Sequence, residues 1–180
     1  MDMNNAPEGD PTYIKNKEKY FMEVAKTIAL ASTHPKSPGG CVIVRDREII
    51  GDGRSLLCSS KVEVDCLTYA IGTSAKRGTP TTGAVVYTTR YPFSPSIFQC
   101  HVMGIKCIYV LAHEWEPYYK DEFRRAARLA RELSIAIEPL FEDDQDNKWY
   151  KRKLDPELFQ LDQYDPKTKK ETTYDNTTSV

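Results

Sequence analysis

Metal-binding motifs are what this sequence most conspicuously lacks. No two of its five cysteines stand in C-x-x-C spacing, and no H-x-E or C-x-E triplet occurs anywhere. Histidine is scarce: His34, His101 and His113 are the three present, with none between 34 and 101. The cysteines (Cys41, Cys58, Cys66, Cys100, Cys107) are odd in number and scattered, which argues against a disulfide scaffold and for reduced thiols in a cytoplasmic protein. Long apolar runs are missing, so no segment approaches the ~20 residues of a membrane-crossing helix. The N-terminus has no apolar stretch of the secretory type. Neither sign of charge dominates: 25 Lys and Arg face 26 Asp and Glu, which excludes bulk attraction to nucleic acid or to anionic membranes.

What is present suits one soluble domain. The chain has 180 residues, 40% of them hydrophobic, enough for a single proper core. Residues 1–16 read as a flexible lead-in, polar and with two prolines. From Lys17, the residues Phe21, Val24, Ala25, Ile28 and Ala29 recur at helical spacing, and Pro35 ends the pattern. "CVIVRD" and "REIIGDG" form a hairpin through Asp46-Arg47. A second helix follows over 64–77, then the strand "AVVYTT", a short apolar helix over 94–103 and the strand "KCIYVLA". An amphipathic helix spans 119–133 with Phe123, Ala127, Ala130 and Leu133 inward, and "SIAIEPL" is the last strand. The order α-β-β-α-β-α-β-α-β implies an α/β domain over 17–142, its sheet covered by helices on both faces and its later strands parallel. Residues 143–180 are a charged tail, partly disordered, interrupted by a docking segment around Asp155–Leu161.

Several segments in register carry a resemblance. "YFMEVAKTIALAS", "PGGCVIVRDREIIGDG", "YAIGTSAKRG", "VVYTTRYP" and "MGIKCIYV" are similar to the cytidine and deoxycytidylate (dCMP) deaminase superfamily, over roughly residues 17–140. The resemblance implies a three-layer α/β/α cytidine-deaminase-like fold with a five-stranded mixed sheet. It also implies where chemistry should sit. In that superfamily the His of H-x-E opens the second helix, and the two Cys of P-C-x-x-C open the third. These three hold zinc, and the Glu moves protons. Counted from Ala70-Ile71, the His position falls on Asp65 and the Glu position on Leu67; counted from Pro92, the cysteine positions fall on Phe93 and Ser96. A sugar-binding Asn position falls on Ser55, and a Glu position before the proline falls on Arg90. The resemblance is therefore to a degenerate member, with zinc expected absent and deamination by the family mechanism lost.

Several expectations follow. Asp65 should be an N-cap or a first-turn acid of the second helix, Ser94 and Ser96 should cap the third, and Phe93 should plug the former pocket. Arg90 either pairs with Asp65, the preferred reading, or holds a phosphate; with Ser55 and Tyr91 it would line a vestigial nucleotide site. A relocated metal site from Asp65, Cys66, Cys100 and His101 is a weaker alternative to the reading of both cysteines as buried core thiols. His101 lies off the face of Ser96, so no Ser–His catalytic pair is expected. Arg124, Arg125, Arg128 and Arg131 read as a solvated face, and "KWYKRK" in the tail as a docking arm; nucleic acid is not an expected partner. The leading reading is a structural or regulatory subunit, forming homo-oligomers or joining an active deaminase. A nucleotide- or RNA-binding module and an active deaminase with a relocated metal are the alternatives.

Overall fold

The computed structural model describes residues 16–112, 119–141 and 158–159. Helix α1 (Lys17–Ala29) leads into the hairpin β1 (Gly40–Arg45) and β2 (Glu48–Arg54). Two short strands follow, β3 (Leu56–Leu57) and β4 (Glu63–Val64), then α2 (Cys66–Lys76), β5 (Val85–Thr88) and α3 (Ser94–Val102). The remaining elements are β6 (Cys107–Leu111), α4 (Lys120–Glu132) and β7 (Ala136–Leu140). The main sheet has five strands in the order β2-β1-β5-β6-β7. Its β2–β1 and β1–β5 pairs are antiparallel, and β5–β6 and β6–β7 are parallel. The expected mixed sheet is therefore present. The additional β3–β4 pair was not expected, because two residues per strand are too few to show alternation in sequence.

Local chemistry explains the hairpin. Asp46 and Arg47 both take left-handed φ (51° and 68°), the geometry of a two-residue turn whose twist matches the flanking strands. Alternation then sorts the strands. Val42, Val44 and Tyr87 pack with Phe21, Met22 and Ala25 of α1, whereas Cys41, Ile43, Val86, Ile108 and Val110 join the larger core under α2, α3 and α4. Two glycines permit this close layering: a Cβ on Gly40 would stand 2.0 Å from the Ala25 carbonyl of α1, and one on Gly53 2.2 Å from the Cys66 carbonyl of α2.

The helix faces differ in detail from their sequence pattern. In α1 the buried set is Phe21, Met22 and Ala25, with Val24 and Ile28 only partly buried. Contact through Gly40 turns α1 so that Met22, outside the apolar stripe, meets the sheet. In α4 the small residues Ala126, Ala127 and Ala130 lie buried beside Phe123, and Leu133 is partly buried. Leu158 and Phe159, from the expected docking segment, are buried in the larger core. The lead-in, "KWYKRK" and the rest of the tail lie outside the described residues. Among the described residues, no helix is long and apolar enough to cross a membrane.

Candidate functional site

The parallel strands end where α2 and α3 begin, a place where open α/β sheets commonly leave a crevice. Asp65 caps α2, its carboxylate accepting the Thr68 N–H at 2.6 Å. Its other oxygen accepts a short hydrogen bond from the Ser96 hydroxyl, and Ser96 also lies 3.0 Å from the Thr68 hydroxyl. Asp65, Thr68 and Ser96 thus form a polar knot that ties the first turn of α2 to the first turn of α3. Burial raises the Asp65 carboxyl above its usual range, against the opposing pull of the Ser96 and Thr68 donors. Leu67 is core, 1% exposed, and contributes an apolar wall to the same crevice.

The start of α3 corrects one expectation. Neither Ser94 nor Ser96 caps it; Phe93 occupies the cap position and makes no side-chain cap bond. Instead Glu122 of α4 accepts the Ser94 N–H at 2.8 Å, while Ser96 is committed to Asp65. The Ser94 hydroxyl is buried without a partner among the described residues. The reason is register: the helix begins at Ser94, so both serines lie inside the first turn. The Phe93 ring packs against Tyr119 (centroids 5.5 Å) and Phe123 (6.0 Å), an aromatic wall between β5 and α4.

Arg90 brings a second correction. It does not pair with Asp65: its guanidinium donates to the Ser37 carbonyl at 2.8 Å and lies 5.3 Å over the Tyr119 ring. Asp65 already has its donors from α2 and α3. Tyr91 lines what remains of the pocket together with Ser55 and Arg90. It is only 2% exposed, packed against Phe123 and Phe159, and its hydroxyl donates to the Leu158 carbonyl at 2.7 Å. Tyr91 thereby also holds the C-terminal segment. Ser55 is buried, its N–H donating to the Gly39 carbonyl at 2.9 Å.

Metal ligation finds little support in the donor set. Cys66 is buried 3.4 Å from the Thr88 hydroxyl, and burial, then Asp65, pushes its thiol to about 11. Cys100 is likewise pushed to about 12, by burial and then Asp65. In the metal-free chain both therefore stand as protonated thiols. His101 is exposed on α3 beside Phe98, away from the knot. Among the described residues, no group of three or more His, Cys, Asp and Glu is arranged to hold a metal. The side chains at the family's ligand positions do not fit zinc.

What remains of the crevice is a cavity of about 10 Å³, lined among others by Ser55, Glu63, Cys66, Arg90 and Phe93. That is space for about one water molecule. Its rim involves residues that no sequence motif marks. Glu63 accepts from the Tyr119 hydroxyl at 3.1 Å and lies 3.5 Å from His34 Nε2, while His34 Nδ1 accepts the Ser37 N–H at 2.9 Å. Together with Arg90 these contacts hold the loop before β1 over the crevice. Thr68 alone had a local signal, three residues after a capping Asp.

No protein-family model matches the chain. It is similar to the ComE operon protein 2 of Bacillus subtilis (strain 168), 28% identical over 134 residues that cover 65% of this chain and 71% of the relative. The structure of a dCMP deaminase from the cyanophage S-TIM5, in apo form, superposes with a TM-score of 0.59 at 15% identity, covering 71% of this chain and all of the other. A diaminohydroxyphosphoribosylaminopyrimidine deaminase/5-amino-6-(5-phosphoribosylamino)uracil reductase from Thermotoga maritima gives a TM-score of 0.56 at 21% identity, covering 68% of this chain and 36% of that one. With its mixed five-stranded sheet between α1 and the α2–α4 layer, this chain has the fold of the cytidine deaminase superfamily.

Proposed function

We propose that this chain is a catalytically silent deaminase-fold protein that serves as a structural or regulatory subunit, assembling with itself or with an active deaminase. The observation that carries this reading is the Asp65–Thr68–Ser96 knot. It stands at the positions of two family zinc ligands and joins the two helices that a shared metal would join. Hydrogen bonds do here the structural part of a metal's work and none of the chemical part, since no group in the knot activates water as a metal does. Leu67 at the proton carrier's position and a cavity of about 10 Å³ support the same reading. Nucleotide binding through Ser55, Arg90 and Tyr91 has less support, because Arg90 and Tyr91 are engaged within the protein and the space is too small for a base.

The test is made on purified, tag-free protein. Zinc per chain is measured by elemental mass spectrometry, and hydrolysis of dCMP and related cytosine nucleotides is followed in parallel. Zinc well below one atom per chain and no turnover are expected. Near-stoichiometric zinc with turnover abolished by Cys66→Ala would overturn the silent reading. The subunit role is tested separately by native mass and by co-purification with an active dCMP deaminase from the same cells; a strict monomer that captures none would end it.

A further inference from the structure

A larger cavity lies on the other face of the sheet, under the first turns of α1. Its volume is about 200 Å³, against about 10 Å³ for the crevice at the starts of α2 and α3. Its floor is the cross-strand pair Val44 and Val85. Its wall is aromatic: Phe21 lies 5.3 Å from Tyr87, and the rings of Tyr87 and Tyr109 stack at 5.1 Å and 13°. Gly83 leaves the edge without a side chain.

The rim is charged, with three cations (Lys17, Arg45, Arg47) and two carboxylates (Glu18, Asp46). Two pairs within it are long, 3.8 Å for Lys17–Glu18 and 3.6 Å for Arg45–Asp46, and solvent-exposed pairs of this kind hold their partners weakly. Arg45 is kept at the rim by a hydrogen bond to the Pro80 carbonyl. Tyr87, 3% exposed as a residue, lines the cavity and supplies a polar handle through its hydroxyl.

We propose that this cavity binds a small planar aromatic anion. The ring lies over Val44 and Val85 against the tyrosine wall, the Tyr87 hydroxyl bonds to a polar ring atom, and a phosphate or carboxylate meets Lys17, Arg45 and Arg47. Size is consistent with this, because an apolar cavity of ~150 Å³ admits a benzene ring. A six-membered or fused ring fits inside while its anionic group stays at the rim. Nucleoside monophosphates and aromatic carboxylates share this chemistry, and the proposal stands whether or not the chain is a subunit.

The experiment is thermal unfolding and calorimetric titration of the full chain with dCMP, AMP, benzoate, indole-3-carboxylate and inorganic phosphate. A ligand that binds only the native state raises Tm, so at least one ring-bearing anion should raise it by a few degrees at saturation while phosphate alone does not. The nucleotide and carboxylate arms identify the source. Arg47→Glu should weaken binding about tenfold or more, since it reverses a charge that faces the ligand. Tyr87→Phe should weaken it less, and Arg90→Ala, in the other crevice, should leave it unchanged. The proposal fails if no ring-bearing anion shifts Tm at millimolar concentration, if phosphate alone gives the full shift, or if binding survives Arg47→Glu but not Arg90→Ala.

Discussion

The starts of α2 and α3 and the first turn of α1 lie at opposite ends of β5 and on opposite faces of the sheet, and they are filled in opposite ways. At the first, polar side chains bond to one another, Asp65 to Thr68 and Ser96, and almost no space is left. At the second, aromatic and aliphatic side chains leave about 200 Å³ with a charged edge. A fold can therefore keep its layers while its two ends leave different amounts of space, because strand pairing is made by backbone groups whereas the space left over is set by the side chains.

The largest expected effect concerns what closes the first region. Tyr91→Ala removes a buried ring and the anchor of Leu158 and should cost about 3–5 kcal/mol in urea unfolding. Tyr91→Phe, which loses the hydrogen bond alone, should cost only about 1 kcal/mol. Equal costs for the two would mean that the ring does not close this end of the molecule.

Next comes the knot. Asp65→Ala leaves the Ser96 and Thr68 donors without their acceptor and should cost about 1–3 kcal/mol, with Asp65→Asn costing less. A neutral result would erase the contrast between a bonded and an open region.

A pH titration sharpens the same point with a smaller effect. Burial holds the folded Asp65 carboxyl above its unfolded value, so between the two the folded chain binds more protons than the unfolded one. This group's contribution to stability is therefore fully present below the unfolded value and is lost as pH rises through the folded one. Asp65→Asn should flatten that slope, measured as Tm against pH.

The smallest perturbation is chemical labelling. Cys58 is exposed, whereas Cys41, Cys66 and Cys100 are buried with thiols pushed up by burial. At neutral pH a maleimide should modify Cys58 first, with those three protected until the chain unfolds. Rapid labelling of Cys66 would mean that the crevice opens readily.

Much of the fold was legible because it rests on local patterns. The hairpin showed in two β-branched runs around Asp46-Arg47, the helices in three- and four-residue spacing, and the cap of α2 in Asp65 just before its first turn. The site was legible only in what is missing from it. The expectation that Asp65, Leu67, Phe93 and Ser96 stand where ligands and a proton carrier would be rests on the resemblance and on counting along the chain. Neither reveals their present partners. Arg90 could as well have faced Asp65 as Ser37, and no spacing signals Glu63 between His34 and Tyr119.

By itself the sequence determined the order of the four helices and the five strands of the main sheet, and the absence of any motif for a metal. Only the tertiary structure decided that Ser96 meets Asp65 across 31 residues, that Tyr91 meets Leu158 across 67, and that one cavity is nearly closed while another remains. Periodicity and turn chemistry act over a few residues, where the chain's own geometry sets the distances. A hydrogen bond between distant residues depends on how whole elements pack, and that is fixed only when the helices and the sheet settle against one another.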